Sequence, residues 1–236
     1  GTNLFAGGYF DSAGGVAVDG IARWDGRLWS WMPSVGPVKA LAVSGTHIYA
    51  AGYGLGGNHV AIWDGSTWSD LGSGMDSSVY ALAVSGNTLY AGGSFTTAGG
   101  VAVNRIAKWN GTFWSALSSG TSGGVYALAV SGTGLYVGGS FGTAGGTSSP
   151  RIAKWSGSAW SALGSGMNSA VTALAVSGSD LYVGGIFETA GEVTANRIAK
   201  WDGNTWSALG SGMGGDVFAL AASGNVLYAG GSFTTA

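Results

Sequence analysis

Three groups of residues have the types and spacing to do chemistry. Gly138-Gly139-Ser140-Phe141-Gly142 matches G-x-S-x-G, the turn that exposes a hydrolase serine. Gly52, Gly54 and Gly57 match G-x-G-x-x-G, which brings a dinucleotide phosphate to the start of a helix. The third group is a recurring set of aromatic and cationic residues. Tryptophans five residues apart occur at Trp24/Trp29, Trp63/Trp68, Trp109/Trp114, Trp155/Trp160 and Trp201/Trp206. Arg105/Lys108, Arg151/Lys154 and Arg197/Lys200 recur beside them, with Arg23 as a partial copy. Indole faces can stack on sugar rings, and guanidinium groups can hold anions.

The first two matches lose their context on inspection. A serine elbow needs a strand-to-helix turn and a histidine base. Sister segments read Gly92-Gly93-Ser94-Phe95-Thr96 and Gly230-Gly231-Ser232-Phe233-Thr234, so the match arises only because Gly142 stands where they have Thr. The two histidines, His47 and His59, fall in another repeat. No helical pattern follows Gly57, so the fingerprint reads as a shortened loop. Metal chemistry has no support either: there is no cysteine, no His pair at helical spacing and no D-x-D-x-D-G loop. Asp25, Asp64 and Asp202 recur at turn positions that explain them, although a Ca²⁺ held by backbone carbonyls would leave no trace. Asn110-Gly111-Thr112 is a glycosylation sequon that coincides with a turn. The expectation is no catalytic residue, no metal, no cofactor and no enzymatic activity.

The third group supplies the candidate ligand-binding residues: Trp109, Trp114, Trp155, Trp160, Trp201, Trp206, Arg105, Arg151, Arg197, Asn104 and Asn196. A competing reading makes the Trp pairs packing in the gap between repeats. It makes the cations a solvated outer strand, or partners stacked on Trp.

These residues are positioned by a repeat. Leu89, Leu135, Leu181 and Leu227 each open L-Y-x-G-G, 46 residues apart, with degenerate copies at Leu4 and Ile48. V-x-A-L-A-x-S-G begins at Val38, Val79, Val125, Val171 and Val217. One unit, from Val79 to Gly124, holds four short runs rich in β-branched and aromatic residues, bounded by Gly, Ser, Asn, Asp or Thr. That is strand spacing, with no helical period. Asp64-Gly65, Asn110-Gly111 and Asp202-Gly203 are hairpin signals, because both residue types tolerate positive φ. The strands are A (VYALAV), B (LYAGGSF), C (RIAKW) and D (FWSAL). Four antiparallel strands in a repeat of this length predict an all-β fold, a β-propeller of four-stranded blades. Strand A suits the innermost place and strand D the outer edge.

The chain 1–236 reads as a single propeller. Blades fall at 38–78, 79–124, 125–170 and 171–216, and a ring-closing blade combines 217–236 with 1–37. That last blade holds 57 residues, 11 more than a 46-residue unit, because strand B occurs at both ends. Five blades is the preferred count; six with one incomplete is the alternative, as is an excerpt of a longer array.

Composition agrees. Of 236 residues 47 are Gly, and most occupy fixed turn slots; charged residues are 8%, against about 25% in an average domain. Nine Lys and Arg face eleven Asp and Glu, a net charge of −2, so no nucleic-acid partner is expected. No apolar run is long enough for a spanning helix, so no membrane insertion is expected.

The segments LYVGGSF, NRIAKW, W-S-A-L-G-S-G-M and V-x-A-L-A-V resemble the propeller repeats of large bacterial surface proteins. They are also similar to the kelch-like ectodomain of fungal cortical polarity markers. The second unit matches least, with Val60-Ala61-Ile62-Trp63 in place of Arg-Ile-Ala-Lys-Trp. The resemblance implies an extracellular or cell-surface location, although no signal-peptide pattern opens the chain at Gly1, and it transfers no catalytic residue.

The functional expectation is a non-enzymatic, multivalent binding module for glycan or surface-protein partners. Its variable B–C loops, such as 96–104 and 142–150, would carry the contacts. The alternative is a structural scaffold with self-association through the surplus terminal strand.

Overall fold

The computed structural model describes residues 3–52 and 59–236. Apart from Gly52, the G-x-G-x-x-G stretch lies outside the described residues. The chain divides into two compact units, Gly1–Ala116 and Leu117–Ala236.

Among the described residues the first unit contains three larger sheets and two short hairpins. β1 (Leu4–Gly7), β4 (Ile21–Trp24) and β5 (Trp29–Trp31) form a three-stranded sheet. β6 (Val38–Ser44), β7 (His47–Gly52), β8 (Val60–Trp63) and β9 (Trp68–Asp70) form a four-stranded one. So do β10 (Val79–Ser85), β11 (Thr88–Gly93), β14 (Ile106–Trp109) and β15 (Trp114–Ala116). The second unit repeats the pattern. β16 (Val125–Ser131), β17 (Gly134–Gly139), β20 (Ile152–Trp155) and β21 (Trp160–Ala162) form one blade. β22 (Val171–Ser177), β23 (Asp180–Gly185), β26 (Ile198–Trp201) and β27 (Trp206–Ala208) form the next. β28 (Val217–Ser223) and β29 (Val226–Gly231) make a two-stranded sheet. Blades 38–78, 79–124, 125–170 and 171–216 thus hold the four expected strands, in the order A-B-C-D and antiparallel, whereas the first sheet holds B, C and D and the last holds A and B. The fold is all-β, of β-propeller blades. Among the described residues no helix is long and apolar enough to cross a membrane.

Register is the same in every blade. Leu89 faces Trp109 and Ala91 faces Ala107; Leu135 faces Trp155 and Val137 faces Ala153. Each A–B pair slips by one residue near its start, between Val79 and Ala81 and at the four equivalent places. The second glycine of L-Y-x-G-G permits this. A Cβ on Gly139 would overlap the carbonyl oxygen of Gly124, which the amide of Ser140 must reach at 2.9 Å. Only glycine lets the two backbones come so close.

The B–C connections are more ordered than expected. In place of the loop expected at 96–104, β12 (Thr97–Ala98) and β13 (Val101–Ala102) form a short hairpin. β2 (Ser12–Ala13) with β3 (Val16–Ala17), β18 (Thr143–Ala144) with β19 (Thr147–Ser148), and β24 (Thr189–Ala190) with β25 (Val193–Thr194) do the same. In three of the four the turn is Ala-Gly-Gly, with Gly99 at φ 58° and Gly100 at φ 80°, the mirror-image turn that matches strand twist; in β24–β25 it is Ala190-Gly191-Glu192, with Gly191 at φ 60°.

The cores lie between consecutive sheets. In the second unit Leu181, Val183, Phe187 and Trp206 cluster with Ile152, Met167 and Val171. In the first, Leu89, Phe95, Val103 and Trp114 cluster with Val60, Leu71 and Met75. Both copies of strand B are in use, β1 beside β4 and β29 beside β28. Among the described residues no further strand is added to the second edge of β1 or of β29. Large side chains are therefore bare there: Leu4 is 58% exposed where Leu89 is 1%, and Tyr228 is 59% exposed where Tyr136 is 5%.

Candidate functional site

Each Trp pair sits across the C–D hairpin, Trp109 opposite Trp114 and Trp155 opposite Trp160. The rings lie 4.9–5.5 Å apart and are tilted 49–54° in all five pairs. The second indole of a pair reaches the preceding sheet. Trp114 Nε1 donates to Leu71 O at 2.9 Å, Trp160 to Leu117 O at 2.9 Å and Trp206 to Leu163 O at 3.0 Å. Trp68 does the same to Pro33 O. Trp114, Trp155, Trp201 and Trp206 are buried, while Trp109 and Trp160 are half-buried. These six tryptophans, read as candidate ligand contacts, therefore also hold the gap between sheets, and Trp155 Nε1 is buried without a partner.

The candidate arginines occupy a special backbone position. Arg105, Arg151 and Arg197 have φ of 71°, 64° and 62°. This left-handed region disfavours any side chain. The same position is His59 (φ 64°) and Gly20 (φ 72°) in the earlier sheets. The conformation is forced by two hydrogen bonds that extend the B–C link. The amides of Arg105, Arg151 and Arg197 donate to Phe95, Phe141 and Phe187, and their carbonyls accept from Gly93, Gly139 and Gly185. The preceding residues, Asn104 and Asn196, tie into the same region; Asn196 Nδ2 donates to Ser211 O at 2.9 Å. The structure thus sets the Arg and Asn candidates together at the start of strand C, and the Trp candidates at its other end.

Ser140, the serine of the G-x-S-x-G match, follows β17 and leads into the β18–β19 hairpin rather than a helix. Its hydroxyl lies 3.0 Å from Tyr126 OH.

A cleft that the motifs do not mark lies in the first unit. It measures 580 Å³ and is lined by Phe5, Arg23 and Trp31 on one sheet and by Thr46, Ile48 and Trp63 on the next. Arg23 Nη2 donates to Asn3 Oδ1 at 3.3 Å, and Ser30 Oγ to Arg23 O at 3.2 Å. Trp31 is 59% exposed, a bare indole beside a guanidinium. The signal was in the repeat: Trp31 stands where the sister strands have Ala116, Ala162 and Ala208. Met32 and Pro33 complete the wall.

No protein-family model and no curated protein matches the sequence. Solved structures do match in fold. The computationally designed Ika8 protein is 18% identical at a TM-score of 0.53, over 91% of this chain and 70% of that one. The extracellular domain of a one-component system from B. thetaiotaomicron is 12% identical at a TM-score of 0.65, over 98% of this chain and 30% of that one. A chain of the Mitotic Checkpoint Complex is 16% identical at 0.62, over 89% and 64%. This chain therefore spans less than two thirds of the latter two. The class defined is a protein of repeated four-stranded propeller blades. Identities this low carry the fold and nothing finer, so the kelch-like and surface-protein resemblance stands on the repeat alone.

Proposed function

We propose that this chain is a non-enzymatic binding module of a cell surface or the extracellular space, and that the cleft of its first unit takes a short glycan. The carrying observation is the juxtaposition of Trp31 and Trp63 with Arg23 and Asn3 around one open cavity. Two indoles and Phe5 offer apolar faces for the C–H side of a sugar ring. Arg23, Asn3, Ser30 and Thr46 offer groups for its hydroxyls. An aromatic wall with a few convergent polar groups is how small-ligand sites are built. The lining residues include no carboxylate and no imidazole, so the cleft is equipped to bind rather than to move protons. Repetition of weak contacts along the blades would add avidity for a surface of many copies.

The test is an immobilised glycan panel probed with the wild type and Trp31→Ala. At least one short glycan is expected to be retained, with affinity falling about tenfold or more in the variant, as for a truncated aromatic anchor. Retention of no glycan, or equal retention by the variant, overturns the reading.

A second reading, assembly, rests on the bare edges of β1 and β29 and on Leu4, Phe218 and Tyr228 beside them. Pairing 217–236 with 1–37, as a closing blade or between copies, would cover them. Sedimentation of wild type and Tyr228→Glu distinguishes these outcomes. Copies that associate in the wild type and separate in the variant support assembly, and a monomer in both removes it.

A further inference from the structure

The left-handed arginines allow one blade to be compared with the next. Around Arg197 the fold supplies counter-charge from two sides. Arg197 Nη2 lies 3.4 Å from Glu188 Oε1, on the B–C hairpin of its own blade, and Nε lies 3.9 Å from Asp216 Oδ1, just before the next strand A. The equivalent positions 46 residues earlier are Gly142 and Ala170. Arg151 keeps the whole backbone frame: φ 64°, its amide 2.8 Å from Phe141 O, its carbonyl 2.9 Å from Gly139 N. Both acids are missing. Among the described residues the half-buried Arg151 side chain makes no hydrogen bond or ion pair. At Gly142 there is room for such a side chain to begin, since a Cβ there would meet only Ser122 Oγ, at 3.9 Å.

A guanidinium held at a strained backbone position, with the carboxylates of its sister site deleted, is a receptor for a carboxylate from outside. We propose that Arg151 binds the carboxylate of a uronic-acid sugar. The planar fork of Arg takes a carboxylate in two parallel hydrogen bonds. The choice of a sugar rests on the surroundings. Residues 142–150 carry Thr143, Thr147 and Ser148, which are half-buried or exposed, and no charged side chain. Beyond the one ionic contact, the neighbourhood therefore offers hydroxyls and backbone groups, the partners that sugar hydroxyls need. This site is in the second unit and does not depend on the Trp31 cleft.

The experiment is calorimetric titration of the whole chain with trigalacturonate at low salt. A neutral galactose trisaccharide and a capped tri-glutamate peptide serve as comparators. Wild type is expected to bind trigalacturonate in preference to both, and more weakly as salt rises. Arg151→Gln should lower the affinity about tenfold or more, as truncating one side of a charge pair does. Gly142→Glu with Ala170→Asp, which copies the Arg197 site, should lower it equally by filling the receptor from within. The loss caused by Arg151→Gln should be the same in a Trp31→Ala background, which separates failure of this site from failure of the cleft. Arg151→Gly guards against misfolding, because Gly20 already occupies this position in the first sheet; it should melt no lower than wild type and still lose the sugar. Absence of trigalacturonate binding, equal binding by Arg151→Gln, or tighter binding of the peptide each overturns the proposal.

Discussion

The C–D turns set how the protein responds to acid. Asp64 Oδ1 accepts from the amides of Ser66 at 2.7 Å and Thr67 at 2.8 Å, and from the Ser66 hydroxyl. The Thr67 and Ser66 amides, followed by that hydroxyl, lower the carboxyl from 3.8 to about 2. Asp25 is lowered by the amides of Leu28 and Arg27, and Asp202 by those of Thr205 and Asn204. A folded pKa below the unfolded one means that the unfolded chain binds protons first. The contribution is whole above the unfolded pKa, near 4, and fades as pH falls through about 2. Asn110 makes the same bonds without a charge, to Thr112 N at 2.9 Å and Phe113 N at 3.0 Å. Thermal melts of Asp64→Asn should therefore track the wild type near pH 2 and fall below it from pH 4 upward; parallel curves would refute the assignment. These turns were legible because Asx-Gly is a local code. The left-handed arginines were not, because their φ is imposed by two long-range hydrogen bonds; the only trace was Gly20 at the aligned position.

Strands A to D could be read because each is a short apolar run between turn residues, repeated until chance is excluded. The B–C hairpins were missed because two-residue strands such as Thr97–Ala98 carry no period; the Ala-Gly-Gly turn was their only signal. The Trp pairs were found by spacing, but spacing cannot distinguish a ligand platform from a brace. The structure adds the indole hydrogen bonds of Trp68, Trp114, Trp160 and Trp206 to backbone carbonyls 35 or 43 residues earlier. Trp114→Phe should lose that bond to Leu71 and about 1 kcal/mol of stability. Trp114→Ala should lose about 3 to 5 kcal/mol, since the indole is 2% exposed and its removal leaves a cavity. Gly139→Ala tests the close backbone approach, and should lower the melting temperature more than Gly146→Ala, whose Cβ would meet nothing within 4 Å. Chemical denaturation of the four variants checks the order.

The molecule as a whole is held by apolar burial and backbone ladders, with charged residues only 8%. The ion pairs of Arg197 with Glu188 and Asp216 and of Lys200 with Asp180 are partly exposed and screened by solvent. Raising NaCl from dilute to molar strength should therefore shift the melting temperature little, while sulfate should raise it, as exclusion strengthens apolar burial. A sharp fall in NaCl would show that charge carries more of the fold than these pairs suggest. The tryptophan braces have another consequence. Three of them, from Trp114, Trp160 and Trp206, reach back 43 residues to a carbonyl at the end of the preceding strand D. Duplicating or deleting one whole 46-residue unit leaves every such span intact, whereas gaining or losing residues within strands C or D breaks one. A gene of this kind can lengthen or shorten in unit steps without solving a new packing problem. Changes of length then fall between strands B and C, where the unit at 38–78 is already five residues shorter than its sisters.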